Sequence, residues 1–207
     1  MDYTKIEQKL EKIIKEKFPI IYDFDFNGIV YLYGGTVRDA FLSKEANDLD
    51  FVILSQKECK VLDFINKYHL KYKKNVFGGY KINYNNTEID IYTTDDLMIV
   101  KYDLDMLFYD IELKKIISVG AFHSIETRTI TELDYKKRTI QNHRRRLKKL
   151  INFVKEMNGN KGHVKVKQNR LYSYARGIRD KITKIKSTIT NGNFKKCFQF
   201  LKGSTKQ

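Results

Sequence analysis

Two things are scarce in this 207-residue chain: long apolar runs, and acids in its last third. No hydrophobic stretch approaches the roughly 18 residues that a membrane-spanning helix needs, so no such helix is expected. The opening residues, MDYTKIEQKLEKIIKEKF, are charged throughout, unlike a secretory signal. Cysteine is rare as well. Cys59 and Cys197 stand far apart, with no CxxC or Cys/His spacing, so neither a disulfide nor a zinc site is expected and a reducing, cytoplasmic setting is. Against these absences, 42% hydrophobic and 13% aromatic residues suffice for a packed core and exclude a disordered chain.

The net charge of +15 is unevenly spread. From Tyr135 to Gln207 there are 22 Lys and Arg but only two acids, Glu156 and Asp180; the preceding residues carry a net charge of −5. A mildly acidic first part joined to a strongly basic last part favours a polyanionic partner, nucleic acid above all.

Hydrophobic periodicity orders the elements. Thr4 and Glu7 have capping-box spacing, and Ile6, Leu10, Ile13 and Ile14 continue at helical intervals. IVYLY (29–33) reads as a buried strand ended by Gly34-Gly35, TVRDAFL as a short helix, and LDFVIL (49–54) as a second strand. Ser55 and Glu58 form another capping box, predicting a helix through Val61, Leu62 and Ile65 to about His69. Gly78-Gly79 and Asn85-Asn86 are hairpin-turn pairs, so three antiparallel strands are expected around them. A short helix from Asp95 to about Val100 and strands within LFYDIELKKIISV follow.

From Thr131 onward the pattern is helical and basic. Ile140, Leu147, Leu150, Ile151 and Val154 form one apolar stripe, with the lysines and arginines expected to face outward. NGNKG (158–162) reads as a loop. Leu171, Ile178, Ile182, Ile185 and Ile189 make a second stripe, and Phe194, Phe198 and Leu201 a last short helix. The expected organisation is an α+β domain over residues 1–130, a mixed sheet backed by helices, then a basic α-helical region over 131–207.

The chemistry concentrates in VYLYGGTVRDAFLSKEANDLDFVIL (30–54). A glycine pair between strand and helix lets the backbone approach a phosphate, although diglycine also serves plain turn geometry. Asp48 and Asp50, two apart on a strand, project to the same side while Leu49 projects to the other. Two such carboxylates ionise together only with a counter-charge; a divalent ion supplies it, and oxygen-only ligands favour Mg²⁺ or Mn²⁺. In TEIDIYT (87–93), Asp90 lies between Ile89 and Ile91, where an unpaired carboxylate is costly. Placed beside the DLDFVIL strand, it would make a third carboxylate, a grouping suited to two-metal phosphoryl chemistry.

GGTVRDAFL…NDLDFVIL closely resembles the head-domain signature of poly(A) polymerases and tRNA CCA-adding nucleotidyltransferases, within the DNA polymerase β-like nucleotidyltransferase superfamily. Gly34, Gly35, Val37, Arg38, Asp39, Asp48 and Asp50 carry the match, and DMLFYDIELKKIISVGAFHSIETRTI is a softer one. The resemblance covers about residues 28–130. It implies a nucleotidyltransferase head that uses an NTP and Mg²⁺, with Gly34 and Gly35 on the triphosphate and Asp48, Asp50 and Asp90 as catalytic metal ligands. Arg38 either touches phosphate or braces the loop through a carboxylate. The chain departs from the family's RRDFT-x-N run, which helps bind ribose: the arginines are absent and Asp105 stands in the asparagine's place.

The expected function is template-independent transfer of NMP from NTP to an RNA 3′ end, with tRNA among the candidate acceptors. Arg144, Arg145, Arg146, Lys148 and Lys149 are the candidate phosphate contacts, and Tyr172 and Tyr174 the candidate stacking residues. Two rivals share the fold: nucleotidylation of a protein or small molecule, and a catalytically inactive RNA-binding adaptor.

Overall fold

Seven strands form one mixed sheet, because β-branched and aromatic runs alternate with turn residues from Ile29 to Ser118. The structure, a computed structural model, describes residues 3–55, 60–75, 78–97, 102–118, 120–133 and 140–168, with side chains from 144 to 167 in the last stretch. The strands are β1 (Ile29–Tyr33), β2 (Asp48–Leu54), β3 (Tyr72–Lys74), β4 (Tyr80–Tyr84), β5 (Thr87–Thr94), β6 (Leu107–Asp110) and β7 (Lys115–Ser118). Their spatial order is β3-β4-β5-β2-β1-β6-β7. Neighbours are antiparallel except β2 and β5, which run parallel. The expected mixed α+β architecture is what the chain adopts.

Among the described residues, the sheet is joined by helices α1 (Tyr3–Lys17), α2 (Gly35–Phe41), α3 (Val61–Lys67), α4 (Ala121–Thr127) and α5 (Ile140–Met157) and by a small parallel pair, β8 (Thr129–Glu132) and β9 (Lys165–Gln168). All five helices feed one core: Leu10 and Ile14 of α1, Val37 of α2, Phe64 of α3, Ile125 of α4 and Leu150, Phe153 and Val154 of α5 pack with Leu32, Leu49, Phe51, Ile89 and Ile91 of the sheet. Truncating a ring such as Phe64 there would cost about 3–5 kcal/mol. A smaller cluster, Tyr31, Val52, Met106, Phe108 and Leu133, covers part of the opposite face.

Several local expectations are corrected. Thr4 lies inside α1, which already includes Tyr3, and Glu7 accepts hydrogen bonds from Lys115 Nζ and the Ile116 N–H, tying α1 to β7 instead of capping it. Helix α3 starts at Val61, after a non-helical Lys60, while the Ser55 hydroxyl donates to the Asn27 carbonyl. Thr131, taken as the start of helical sequence, is in β8, because Ile130 and Glu132 alternate inward at strand period. Three antiparallel strands form as expected, and the asparagine pair holds: Asn85 and Asn86 have φ of 48° and 62°, both left-handed, as a tight hairpin between twisted strands requires. Gly78-Gly79 instead ends a longer connection, closed by the Asn75 N–H on the Gly79 carbonyl. Most of the expected Asp95–Val100 helix, the second apolar stripe and the last short helix fall outside the described residues.

Candidate active site

Strand alternation builds the site. On β2 and β5, Leu49, Phe51, Ile89 and Ile91 point into the helix-backed core, so Asp48, Asp50, Glu88 and Asp90 share the opposite face. The register aligns Asp48 with Glu88 and Asp50 with Asp90. Asp50 also faces Tyr33 on β1, and Asp90 faces Lys81 on β4. A single row therefore crosses four strands: Tyr33, Asp50, Asp90, Lys81. Sequence reasoning reached the three aspartates but not Tyr33 or Lys81, because cross-strand neighbours depend on strand order.

The diglycine bend closes onto this row. Gly34 has φ of 81°, a left-handed value that glycine tolerates freely, and a β-carbon there would stand 2.7 Å from Asp50 Oδ2. Gly35, which opens α2, has nothing within 4 Å of the corresponding position. The bend is secured from behind by the Thr36 hydroxyl, which donates to the Asp48 carbonyl.

The carboxylates repel one another. Burial, followed by the charges of Asp48 and Asp90, pushes Asp50 up to about 6, against the partial relief of Arg146 and Arg38. Asp90 is also raised, first by burial, while Lys81 works the other way. Its Oδ2 lies 3.6 Å from Lys81 Nζ, and its Oδ1 is buried with no hydrogen-bond partner. An orphaned buried oxygen of this kind costs about 1–3 kcal/mol. Tyr33 is raised by burial and by Asp50, so its phenol stays protonated.

These features fit a hard divalent cation: oxygen-only donors, uncompensated negative charge and an unsatisfied buried oxygen. Among the described residues, no group of three or more His, Cys, Asp or Glu side chains is drawn together tightly enough to hold a metal alone. Mg²⁺ at nucleotide sites is commonly held by one or two carboxylates plus phosphate oxygens, and Asp48 and Asp50, on one face of β2, are two carboxylates of the type such a cation takes.

Arg38 is buried and donates through Nη1 to Asp105 Oδ1 at 3.2 Å. The same oxygen accepts from Arg146 Nη2 at 2.6 Å. Of the five cations on α5 expected to face outward, Arg144, Arg145, Lys148 and Lys149 are exposed, whereas Arg146 turns inward. Helical spacing carries a signal for this: Arg146 stands four positions before Leu150 and seven before Phe153, in register with the buried stripe, whereas Arg145 stands four before Lys149. Tyr172 and Tyr174 lie outside the described residues.

No protein-family model matches the chain, and no curated protein matches it. Among solved structures, it is similar to a CCA-adding enzyme in apo form I at 19% identity and TM-score 0.47, over 65% of this chain and 37% of that one. A Thermotoga maritima CCA-adding enzyme complexed with tRNA gives 23% identity and TM-score 0.44, over 62% and 32%. A structure described as tRNA-processing enzyme complex 3 gives 16% and 0.47, over 86% and 48%. The chain thus spans about a third to a half of the length of these proteins, and similarity at this level speaks to neither substrate nor activity.

Proposed function

We propose that this chain is a metal-dependent nucleotidyltransferase that adds NMP from an NTP to an RNA 3′ end. One observation carries the reading: a diglycine bend packed against Asp50, with Asp48 and Asp90 on the same face of the parallel β2–β5 pair. Two glycines without side chains admit a triphosphate to the backbone at the start of α2. Asp48 and Asp50 would hold the cations, with Asp90 as the third acidic group. Bound there, Mg²⁺ or Mn²⁺ would supply activation of the acceptor hydroxyl and neutralisation of the triphosphate and departing pyrophosphate. The acceptor oxygen bonds to the α-phosphorus as the bond to pyrophosphate breaks. Arg38, committed to Asp105, braces the bend rather than reaching for phosphate.

The exposed cations of α5, Arg144, Arg145, Lys148 and Lys149, would take the RNA backbone, with tRNA one acceptor to test. Isolated cysteines suit a reducing cytoplasm for this work. The test is incubation of purified protein with Mg²⁺, each NTP separately and a mixed small-RNA pool, followed by sequencing of the 3′ ends. Untemplated 3′ additions that vanish with Asp48→Ala are expected. Label passing to protein instead of RNA would change the acceptor, and no metal-dependent triphosphate turnover would leave an RNA-binding protein without activity.

A further inference from the structure

The Arg38–Asp105–Arg146 contact, buried at Arg38 and Asp105 and half-buried at Arg146, does more than fill a core. Asp105 is 3% exposed, and a single oxygen, Oδ1, takes both guanidinium groups, one from α2 and one from α5. A purely structural arginine pair gains most from a two-pronged fork on a carboxylate. Here each arginine uses one prong, and Arg146 Nε is buried without a hydrogen-bond partner. Two cations on one buried anion leave excess positive charge; beyond Asp105, Arg38 feels Asp39 and then Asp50, and Arg146 feels Asp50 as well.

The anchor itself is rigid. Asp105 sits in the turn Asp103–Asp105, and Asp103 accepts from the Ser124 hydroxyl at 2.6 Å, the Thr131 N–H at 2.8 Å and the Leu104 N–H at 2.7 Å. The turn is thereby tied to α4 and β8. From this fixed point one arginine reaches the helix that begins at the diglycine bend, and the other reaches the helix whose opposite side is basic and exposed.

We infer that Arg146 is a positioning residue: through Asp105 it sets the seat of α5, and of the acceptor RNA carried on it, relative to the diglycine bend and the carboxylate row. This rests on the nucleotidyltransferase reading for its consequence in turnover, but not for the seating itself. A misplacement of the acceptor by an ångström is enough to cost a large factor in rate.

The test compares wild type, R146K, R146Q, D105N and the double variant R146Q/D105N in Mg²⁺, NTP and acceptor RNA. R146Q and D105N should each lower kcat roughly ten- to a hundredfold, with KM for RNA and NTP nearly unchanged. The double variant should be no slower than the slower single one, and R146K should recover most of the rate. A raised KM for RNA at normal kcat would make Arg146 a phosphate contact and overturn the inference, as would additive losses. If the wild type transfers nothing, the activity reading fails while the seating is still decided by hydrogen exchange. Amides of α5 should then exchange faster in R146Q and D105N, non-additively; unchanged exchange overturns it.

Discussion

A β-carbon on Gly34 would meet the carboxylate of Asp50 at 2.7 Å. The glycine pair and the second aspartate of the DxD are therefore one packing unit, although 16 positions apart in sequence. Gly34→Ala should displace Asp50, cost about 1–2 kcal/mol from strain at positive φ, and abolish transfer. Gly35→Ala is the informative contrast. With open space in front of it and a helical position, it should keep or slightly raise the melting temperature, while weakening NTP binding because the added methyl stands where the triphosphate would come. Thermal melts paired with NTP titrations check both.

Asp50 makes the metal-free protein sensitive to pH. Its folded-state value, about 6, lies above the ordinary carboxylate value of 3.8, so the native state holds its proton more tightly than the unfolded chain does. Stability from this group is present at low pH and is lost as pH rises through about 6. Asp50→Asn should flatten that dependence and raise stability at pH 7 by on the order of 2 kcal/mol, while eliminating transfer. Urea melts from pH 4.5 to 7.5 would show it.

Added Mg²⁺ should reverse the penalty. Wild-type protein should melt higher in millimolar Mg²⁺, whereas Asp48→Ala and Asp50→Asn should respond weakly or not at all. Asp90→Ala, which removes an orphaned oxygen, should fold at least as stably as wild type and lose on the order of a hundredfold or more in rate. A normal rate in Asp90→Ala would remove it from the site.

RNA affinity should fall steeply with salt. Replacing Arg144, Arg145, Lys148 and Lys149 by glutamine should reduce the slope of log affinity against log salt by roughly 0.7 for each lost phosphate contact. Anisotropy with a labelled single strand from 50 to 300 mM salt, on the order of the usual range, would check this. A slope equal to wild type would place the RNA elsewhere.

Asp103 offers a structural control. It accepts three hydrogen bonds in a buried setting, so Asp103→Ala should cost about 2–4 kcal/mol through the loosened turn, with denaturant melts as the readout.

The row of aspartates was legible because strand alternation is a local rule: Leu49 and Ile89 had to be buried, so Asp48, Asp50 and Asp90 had to face the other way. The glycine turn and the two-asparagine hairpin were equally local. What stayed hidden depends on distant partners. Glu7 looked like a cap and proved to be a ligand for β7; Thr131 sat in basic, helical-looking sequence yet pairs with a strand that follows α5. Arg146 shares the helical register of Leu150 and Phe153, but the carboxylate it would meet there, Asp105, depends on a distant turn.

The parallel pairing of β2 with β5 also sets when the acidic row comes together. Hairpins such as β4–β5 close over a two-residue turn, but Asp50 and Asp90 meet only after the whole stretch from Ser55 to Asn86 has looped back. That closure is entropically slow and yields its reward late in assembly. A nascent chain can thus hold its local helices and hairpins before its acidic centre has come together, whereas in the finished fold that centre lies on the middle strands and opens with the core.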